Sequence, residues 1–153
     1  MTRTNAREIA VHLVYDLNYT EESAESLVEM RMEPVYYESL HDVTDIYAEK
    51  PDDAQLSYIR AVTAGVQEKR EELDALIEKY AVGWKLNRIS RIARAILEVA
   101  LYEIRFVDDV PVGAAINEAV ELCKHYEEDE TAAFVNGILG SFVREVPADV
   151  SGT

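Results

Sequence analysis

Residues that break regular structure are scarce in this sequence, which has six glycines and four prolines among 153 residues. Long stretches therefore run without a turn signal, which favours an all-α fold over a β-sandwich or barrel. The single cysteine, Cys123, excludes an internal disulfide framework and is typical of a reducing compartment. No secretory signal opens the chain, and no apolar run approaches the roughly 20 residues needed to span a bilayer. We therefore expect a cytoplasmic protein with no membrane segment.

Basic residues are outnumbered, with 15 Lys and Arg against 30 Asp and Glu and a net charge of −15. This balance argues against a protein that coats a polyphosphate by bulk electrostatics. Most of the acid lies in residues 21–53 and 127–130, whereas one basic series stands apart: Lys85, Arg88, Arg91 and Arg94. Steps of three residues place this series along one side of a helix. It is either a solvated face that pairs with acid or a docking face for a phosphate backbone or an acidic partner.

Motifs for a catalytic or metal centre are absent from the sequence. There is no H-E-x-x-H, no C-x-x-C and no glycine-rich phosphate loop. Cys123 and His125 point about 200° apart on a predicted helix, so they cannot bind one metal ion, and Cys123 is expected to be a small core residue. Glu8 and His12 lack a nucleophile beside them and are expected to form a solvent-facing pair. We expect no enzymatic activity, no metal and no cofactor.

Apolar residues at helical spacing cover most of the chain. The predicted helices run from Thr4 or Asn5 to Tyr19, from the Pro51–Asp53 turn to Gly83, from Leu86 to Phe106, from Pro111 to Tyr126 and from Thr131 to Val146. Residues 21–50 are less regular: a short helix around Leu27 and Met30, a break at Pro34 and a second helix from Tyr36 to Tyr47 are expected. The sequence predicts one all-α domain over residues 1–147, with a disordered tail over 148–153.

Polar residues and glycines interrupt the apolar pattern of the last two predicted helices. We interpret Asn117, Glu118 and Asn136 as structural residues whose side chains satisfy backbone groups at helix junctions, with direct partner contact as the alternative. Gly137 and Gly140 each cost about 1 kcal/mol relative to alanine in a helix. We interpret these glycines as places where another helix or a ligand approaches closely.

Several segments, in this order and spacing, resemble the transcription antitermination factor NusB family. They are AREIAVHLVYDL (6–17), GW (83–84), RAILEVALYEI (94–104), the single Pro111 before AINEAVELCKHY (115–126), and FVNGIL (134–139). The resemblance implies an all-α fold of two three-helix bundles packed together, without catalytic activity. It further implies binding of boxA-type RNA together with NusE, a small-subunit ribosomal protein. Such a complex joins RNA polymerase and suppresses termination, chiefly on ribosomal RNA operons.

The resemblance also implies roles for particular residues. Arg3, Arg7 and Tyr15 match RNA-contacting positions at and before the family's first helix, and Phe134 matches an aromatic residue that helps hold RNA. Arg94 matches a basic position on the partner-binding helix, and Arg91 belongs to the same basic series. The signature segments contain Asn117, Glu118, Asn136 and Gly137.

Several positions depart from the family pattern: Thr4 and Asn5 stand where more arginine is common, Ala93 replaces an acidic residue that is often found there, and Ala133 replaces a frequent lysine. They leave open the alternative of a NusB-like protein-interaction module without RNA affinity. A homodimer that covers the RNA face is a third possibility.

Overall fold

The computed structural model describes residues 1–83 and 88–145, which form helices joined by short turns. Within these residues the α-helices are α1 (Arg3–Asp16), α2 (Ala24–Met32), α3 (Pro34–Ser39), α4 (Asp53–Tyr80), α5 (Arg91–Phe106), α6 (Val112–Tyr126) and α7 (Asp129–Glu145). Short 3-10 helices occur at Leu17–Tyr19 and Asp45–Tyr47. The described residues contain no β-strand, so the all-α prediction is confirmed. None of the described helices is both long and apolar enough to cross a membrane.

The chain divides into two compact units, an N-terminal unit (Met1–Glu68) and a C-terminal unit (Lys69–Thr153). Helix α4 contributes its first part to the N-terminal unit and its second part to the C-terminal unit. The division agrees with the expectation of two helical bundles. A single domain over residues 1–147 stays a prediction, and the tail over 148–153 lies outside the described residues.

Helix α1 begins before the predicted start. Thr2 is its N-cap, because the backbone N–H of Asn5 donates to the Thr2 hydroxyl oxygen at 3.1 Å. The expectation that Thr4 or Asn5 caps the helix was therefore wrong. A threonine side chain that satisfies one of the first helical N–H groups fixes the start of a helix. Arg3 consequently lies in the first turn of α1.

Residues 21–50 contain two short helices, of which only the first matches the prediction. Ser23 caps α2 by accepting from the backbone N–H of Ser26. Pro34 does not merely interrupt this region, since it is the first residue of α3, where the Glu33 carboxylate accepts from the next N–H groups. A proline is well tolerated at that position because its missing N–H has no helical partner there. The predicted helix from Tyr36 to Tyr47 was wrong, because α3 ends at Ser39.

Helix α5 begins at Arg91, after the predicted start at Leu86. Ser90 is its N-cap, since its hydroxyl accepts from the backbone N–H of Ala93 at 3.2 Å. Residues Trp84, Lys85 and Leu86 lie outside the described residues, as do Val146 and Pro147 at the predicted end of the last helix. The central position predicted for this helix is confirmed, because nearly every residue between Ala95 and Ile104 is buried.

Polar side chains form a network inside the N-terminal unit that ties α1, α2 and the turn at Tyr47 together. Arg31 donates to the Asp16 carboxylate and, at 2.6 Å, to the Tyr47 hydroxyl. The same hydroxyl lies 2.9 Å from Nδ1 of His12. Burial, with Arg31 as a second cause, lowers the pKa of His12 to about 4, so His12 is neutral at pH 7. Glu8 is buried as well, and the expected solvent-facing pair of Glu8 and His12 was therefore wrong.

The C-terminal unit has an apolar core formed by the second part of α4 with α5, α6 and α7. Cys123 is fully buried, as predicted for a small core residue, and burial raises the pKa of its thiol to about 11. On α4 the apolar stripe differs slightly from the prediction, since Ile77 is buried where Leu76 was expected and Leu76 is half-buried. The Tyr80 ring packs edge-on against Phe142 with centroids 6.0 Å apart.

A buried cluster of two arginines and two carboxylates joins α4 to α5 in the C-terminal unit. Arg70 donates to both oxygens of the inaccessible Glu98 carboxylate, at 3.1 and 3.3 Å. Arg94 donates to Asp74 at 2.5 Å. Burial, followed by the neighbouring Asp74, raises the pKa of Glu98 to about 8 against the lowering effect of Arg70. Glu98 therefore retains a proton at neutral pH.

This protonated carboxyl makes the stability of the protein dependent on pH. The folded chain holds the Glu98 proton up to about pH 8, whereas the unfolded chain releases it near pH 4.5. The contribution of this proton to the free energy of unfolding is therefore complete below pH 4.5. It is then lost as the pH rises to 8, with a slope of at most about 1.4 kcal/mol per pH unit. Urea unfolding between pH 5 and 9 measures this slope. Glu98→Gln is expected to flatten it, and an unchanged slope in that variant would assign the dependence to other groups.

Candidate nucleic-acid interface

The two arginines predicted to contact RNA from α1 lie beside one aromatic ring in the N-terminal unit. The guanidinium carbon of Arg3 is 4.3 Å from the ring centroid of Tyr58, and that of Arg7 is 5.9 Å from the same centroid. Both distances are within the range of a cation–π interaction. Arg3 lies in the first turn of α1, where the positive end of the helix dipole favours an anion. Arg3 thus places a cation at the helix N-terminus, and Arg7 follows one turn later.

Arg3 and Arg7 differ sharply in exposure. Arg3 is exposed, whereas Arg7 is only 6% exposed and its guanidinium is part of the interior of the unit. A charge reversal at a buried arginine places a carboxylate in the interior where a cation was held, which costs stability. Arg7→Glu is therefore unsuitable as a test of RNA binding. Arg3 is the arginine at which a charge change leaves the interior intact.

Tyr15, also predicted to contact RNA, belongs to a pair of tyrosines at the C-terminal end of α1. Its ring centroid lies 5.3 Å from that of Tyr19, and the Tyr19 hydroxyl donates to the Tyr15 hydroxyl at 3.3 Å. Tyr15 is half-buried, while Tyr19 is 54% exposed. Sequence reasoning missed Tyr19, although its position four residues after Tyr15 in a predicted helix indicated that the two rings are neighbours.

Phe134 belongs to the C-terminal unit, where it lines a cavity of about 520 Å³ at the start of α7. The lining residues come from α7 and from the turn before α5: Arg88, Ile89, Ser90, Glu130, Thr131, Ala133 and Phe134. Phe134 is half-buried, at the edge of the face of α7 that carries the buried Val135 and Ile138. An aromatic ring, a guanidinium and two hydroxyl groups around one cavity suit a flat base with an attached phosphate.

The residues predicted to bind the protein partner, Arg91 and Arg94, are in different surroundings. Arg91 is exposed in the first turn of α5. Arg94 is half-buried and held by Asp74 and, at 3.7 Å, by Glu98 one turn further along α5. The basic series is therefore divided: Arg88 and Arg91 are exposed, and Arg94 pairs with acid inside the unit.

The polar signature residues lie at the surface. Asn117 and Asn136 are exposed, and their side chains make no hydrogen bond within the described part of the chain, so no contact there supports their interpretation as structural residues. Glu118 is half-buried. A Cβ atom built at Gly137 would meet nothing within 4 Å, and at Gly140 it would meet only Arg144 of the same helix, at 3.1 Å. The expected close approach of another helix to these glycines was therefore wrong within residues 1–83 and 88–145.

Chemistry other than binding finds little support among these side chains. In the described ranges, no three His, Cys, Asp or Glu residues are grouped so that they could hold a metal ion. The strongly shifted pKa values belong to His12, Tyr37, Tyr47, Glu98 and Cys123, and all five residues lie in the interior networks or the core. The candidate contact residues Arg3, Tyr15 and Phe134 are instead of types that commonly hold phosphates or stack on bases.

Comparisons with known proteins agree with this arrangement. The model of the NusB family matches residues 4–144. A transcription antitermination protein NusB from Clostridium perfringens is 38% identical over 146 residues, which cover 95% of this chain and 99% of the relative. The solved structure of T. maritima NusB is 27% identical, covers 97% of this chain and 96% of its own, and superposes with a TM-score of 0.79.

A solved complex of antitermination factors NusB and NusE with dsRNA contains a further chain of this fold. It is 23% identical, with a TM-score of 0.72 over 94% of this chain and 97% of that one. At that identity the likeness concerns the fold alone. The relative covers almost the whole sequence, and the family model includes every predicted contact residue except Arg3. The chain belongs to the NusB family.

Proposed function

We propose that this protein is a transcription antitermination factor that binds boxA-type RNA as a heterodimer with NusE and promotes transcription of ribosomal RNA operons. The observation that carries the proposal is the family match over residues 4–144. The solved complex of NusB and NusE with dsRNA supports it, because a chain of the same fold is present there beside both ligands. The function is binding without catalysis. It takes place in the cytoplasm, within the complex that joins RNA polymerase.

RNA is bound through Arg3 and Tyr15 in the N-terminal unit and through Phe134 in the C-terminal unit. Single-stranded RNA is recognised by aromatic rings that stack on its bases and by guanidinium groups that hold its phosphates. Arg3 supplies the phosphate contact, Tyr15 with Tyr19 supplies one aromatic surface, and Phe134 supplies the other. Arg7 supports this surface from the interior.

NusE is bound through the exposed start of α5. Arg91 makes the direct contact, and Arg94 holds that end of the helix in place through Asp74. The exposed Asn117, Asn136 and Gly137 add partner contacts on α6 and α7, which their exposure favours over a purely structural role. Residues 1–147 act as one NusB-like domain, followed by the tail.

The large negative charge explains why two partners are needed. A chain with a net charge of −15 repels a polyphosphate at long range, so its RNA affinity alone is weak. A ribosomal protein adds positive charge beside the RNA. In the absence of NusE the protein forms a homodimer as a further state. Size-exclusion chromatography with light scattering measures the mass that distinguishes a dimer from a monomer.

Charge reversal at Arg3 tests the RNA face. Arg3→Glu is expected to weaken binding of a labelled boxA RNA by roughly tenfold, since a charged hydrogen bond worth about 1.5 kcal/mol is lost. Fluorescence anisotropy measures the affinity, and circular dichroism confirms that the variant is folded. Lys50→Glu is the matched control, because it reverses an exposed charge in the same unit. Equal affinities of the two variants would remove Arg3 from the RNA face.

A further inference from the structure

We infer that Tyr58 is a positioning residue of the RNA site, which holds the Arg3 guanidinium in the orientation that meets a phosphate. The inference rests on the proposed function and adds to it a residue that neither the resemblance nor the family match assigns. Tyr58 lies on α4, 55 positions along the chain from Arg3, so the two are brought together only by the fold. Three observations carry the inference: the stacking distance, the burial of the ring and the fixed start of α1.

The Tyr58 ring is a rigid support. It is 7% exposed and lies beside Ile59, which is completely buried, in the interior of a 28-residue helix. A buried aromatic ring on a long helix has little freedom to reorient. The Arg3 guanidinium carbon, 4.3 Å from the ring centroid, is at stacking distance.

The backbone that carries Arg3 is fixed as well. Thr2 caps α1 immediately before Arg3. The Gln55 side-chain amide, one turn before Tyr58 on α4, donates to the carbonyl oxygen of Met1. These contacts join the start of α1 to the start of α4. Arg3 therefore has both its main chain and its charged end held by the same part of α4.

Stacking leaves the guanidinium suited to phosphate binding. The group is planar, and its N–H donors lie in its plane, whereas the ring contacts its face. An arginine side chain that is already ordered loses less conformational freedom when it binds an anion. Arg7, buried 5.9 Å from the same ring centroid, packs on the interior side of the site and does not reach RNA itself. Of the two arginines, Arg3 is thus the one that the ring presents to solvent.

The salt dependence of RNA binding distinguishes positioning from a general loss of stability. Each phosphate contact to single-stranded RNA contributes about 0.7 to the slope of log affinity against log salt. Tyr58→Leu removes no charge, yet we expect it to lower this slope by about 0.7, as Arg3→Ala does. Tyr58→Phe keeps the ring and is expected to retain the wild-type slope. Combining Tyr58→Leu with Arg3→Ala is expected to lower the slope no further than either change alone.

The experiment uses the full chain and a fluorescein-labelled single-stranded RNA with a boxA element, titrated at several salt concentrations. Tyr37→Leu is the control, because Tyr37 is a buried tyrosine of the same unit that packs on His41 and Tyr47. It is expected to lower stability without changing the slope. If Tyr58→Leu does not fold, Tyr58→Met takes its place, since methionine fills similar space with a flexible chain.

Two results would overturn the inference, and they differ in what else they affect. A folded Tyr58→Leu or Tyr58→Met variant with the wild-type slope would refute the positioning role while the proposed function stands. Absence of RNA binding by the wild-type protein, with and without NusE, would refute the proposed function and the inference together. The wild-type titration alone separates the two cases.

Discussion

Phe134→Ala is expected to weaken binding of boxA RNA by about ten- to a hundredfold, because stacking of a base on an aromatic ring contributes about 1–3 kcal/mol. Phe134 lines the cavity at the start of α7 together with Arg88, so truncation of its ring removes the apolar surface beside a cation. Because Phe134 is only half-buried, and the buried Val135, Ile138 and Leu139 keep α7 packed in the core, the helix is expected to remain folded. Anisotropy titration gives the affinity, and circular dichroism gives the helix content.

Phe106→Ala is the matched control for this experiment. Phe106 belongs to the same unit and is 38% exposed, but it lies at the end of α5 between Lys69 and Arg105. The same number of atoms is removed without touching the cavity, so RNA affinity should stay at the wild-type value. A loss of the same size in both variants would show that general loosening of the unit, and not a contact with a base, explains the effect of Phe134→Ala.

Ile77→Ala is expected to lower the free energy of unfolding by about 3 kcal/mol, since it deletes a large buried side chain and leaves a cavity. Ile77 has no exposed surface and lies in the apolar core of the C-terminal unit. Urea unfolding followed by circular dichroism measures the change, and the slope of free energy against urea should remain that of the wild type.

The neighbouring Leu76→Ala is the internal comparison. Leu76 is half-buried, and its truncation is expected to cost about 1 kcal/mol, because less apolar surface is lost from the core. The order of the two effects tests the orientation of α4 directly. A larger cost for Leu76→Ala than for Ile77→Ala would mean that α4 is rotated about its axis relative to this structure.

The pair Leu76 and Ile77 also shows how far the sequence determines the fold. Apolar spacing of three and four residues predicted the long helix α4 and its buried stripe, but it fitted Leu76 and Ile77 almost equally well. Neighbouring positions on a helix differ by only 100°, so the choice depends on which helices pack against it. The apolar spacing therefore predicted that the helix exists, but it did not determine which of two neighbouring side chains faces the core.

Helix boundaries depended on single capping residues. The apolar pattern before Arg91 extended the predicted α5 towards Leu86, whereas Ser90 caps the helix and sets its start. In residues 21–50 the apolar pattern was weak. Met30 and Val35 are apolar residues of this region, but they are exposed and do not face the core. The starts of α2 and α3 are set instead by the capping hydrogen bonds of Ser23 and Glu33.

The candidate RNA site was predictable by residue type and not by geometry. The resemblance assigned Arg3, Arg7, Tyr15 and Phe134. Because α1 is buried over most of its surface, no spacing in the sequence indicated that Arg7 faces inward. Tyr58 was missed altogether. Its contact with Arg3 joins two distant helices, and no spacing rule relates them.

The most direct test of the antitermination role is fluorescence anisotropy of a labelled boxA RNA titrated with the full-length protein, with and without NusE, at two salt concentrations. We predict weak binding by the protein alone and a clear gain in affinity with NusE that decreases as salt is raised, because phosphate contacts contribute to it. Capture of NusE with no RNA binding under any of these conditions would contradict the RNA-binding role and leave a protein-interaction module of the same fold.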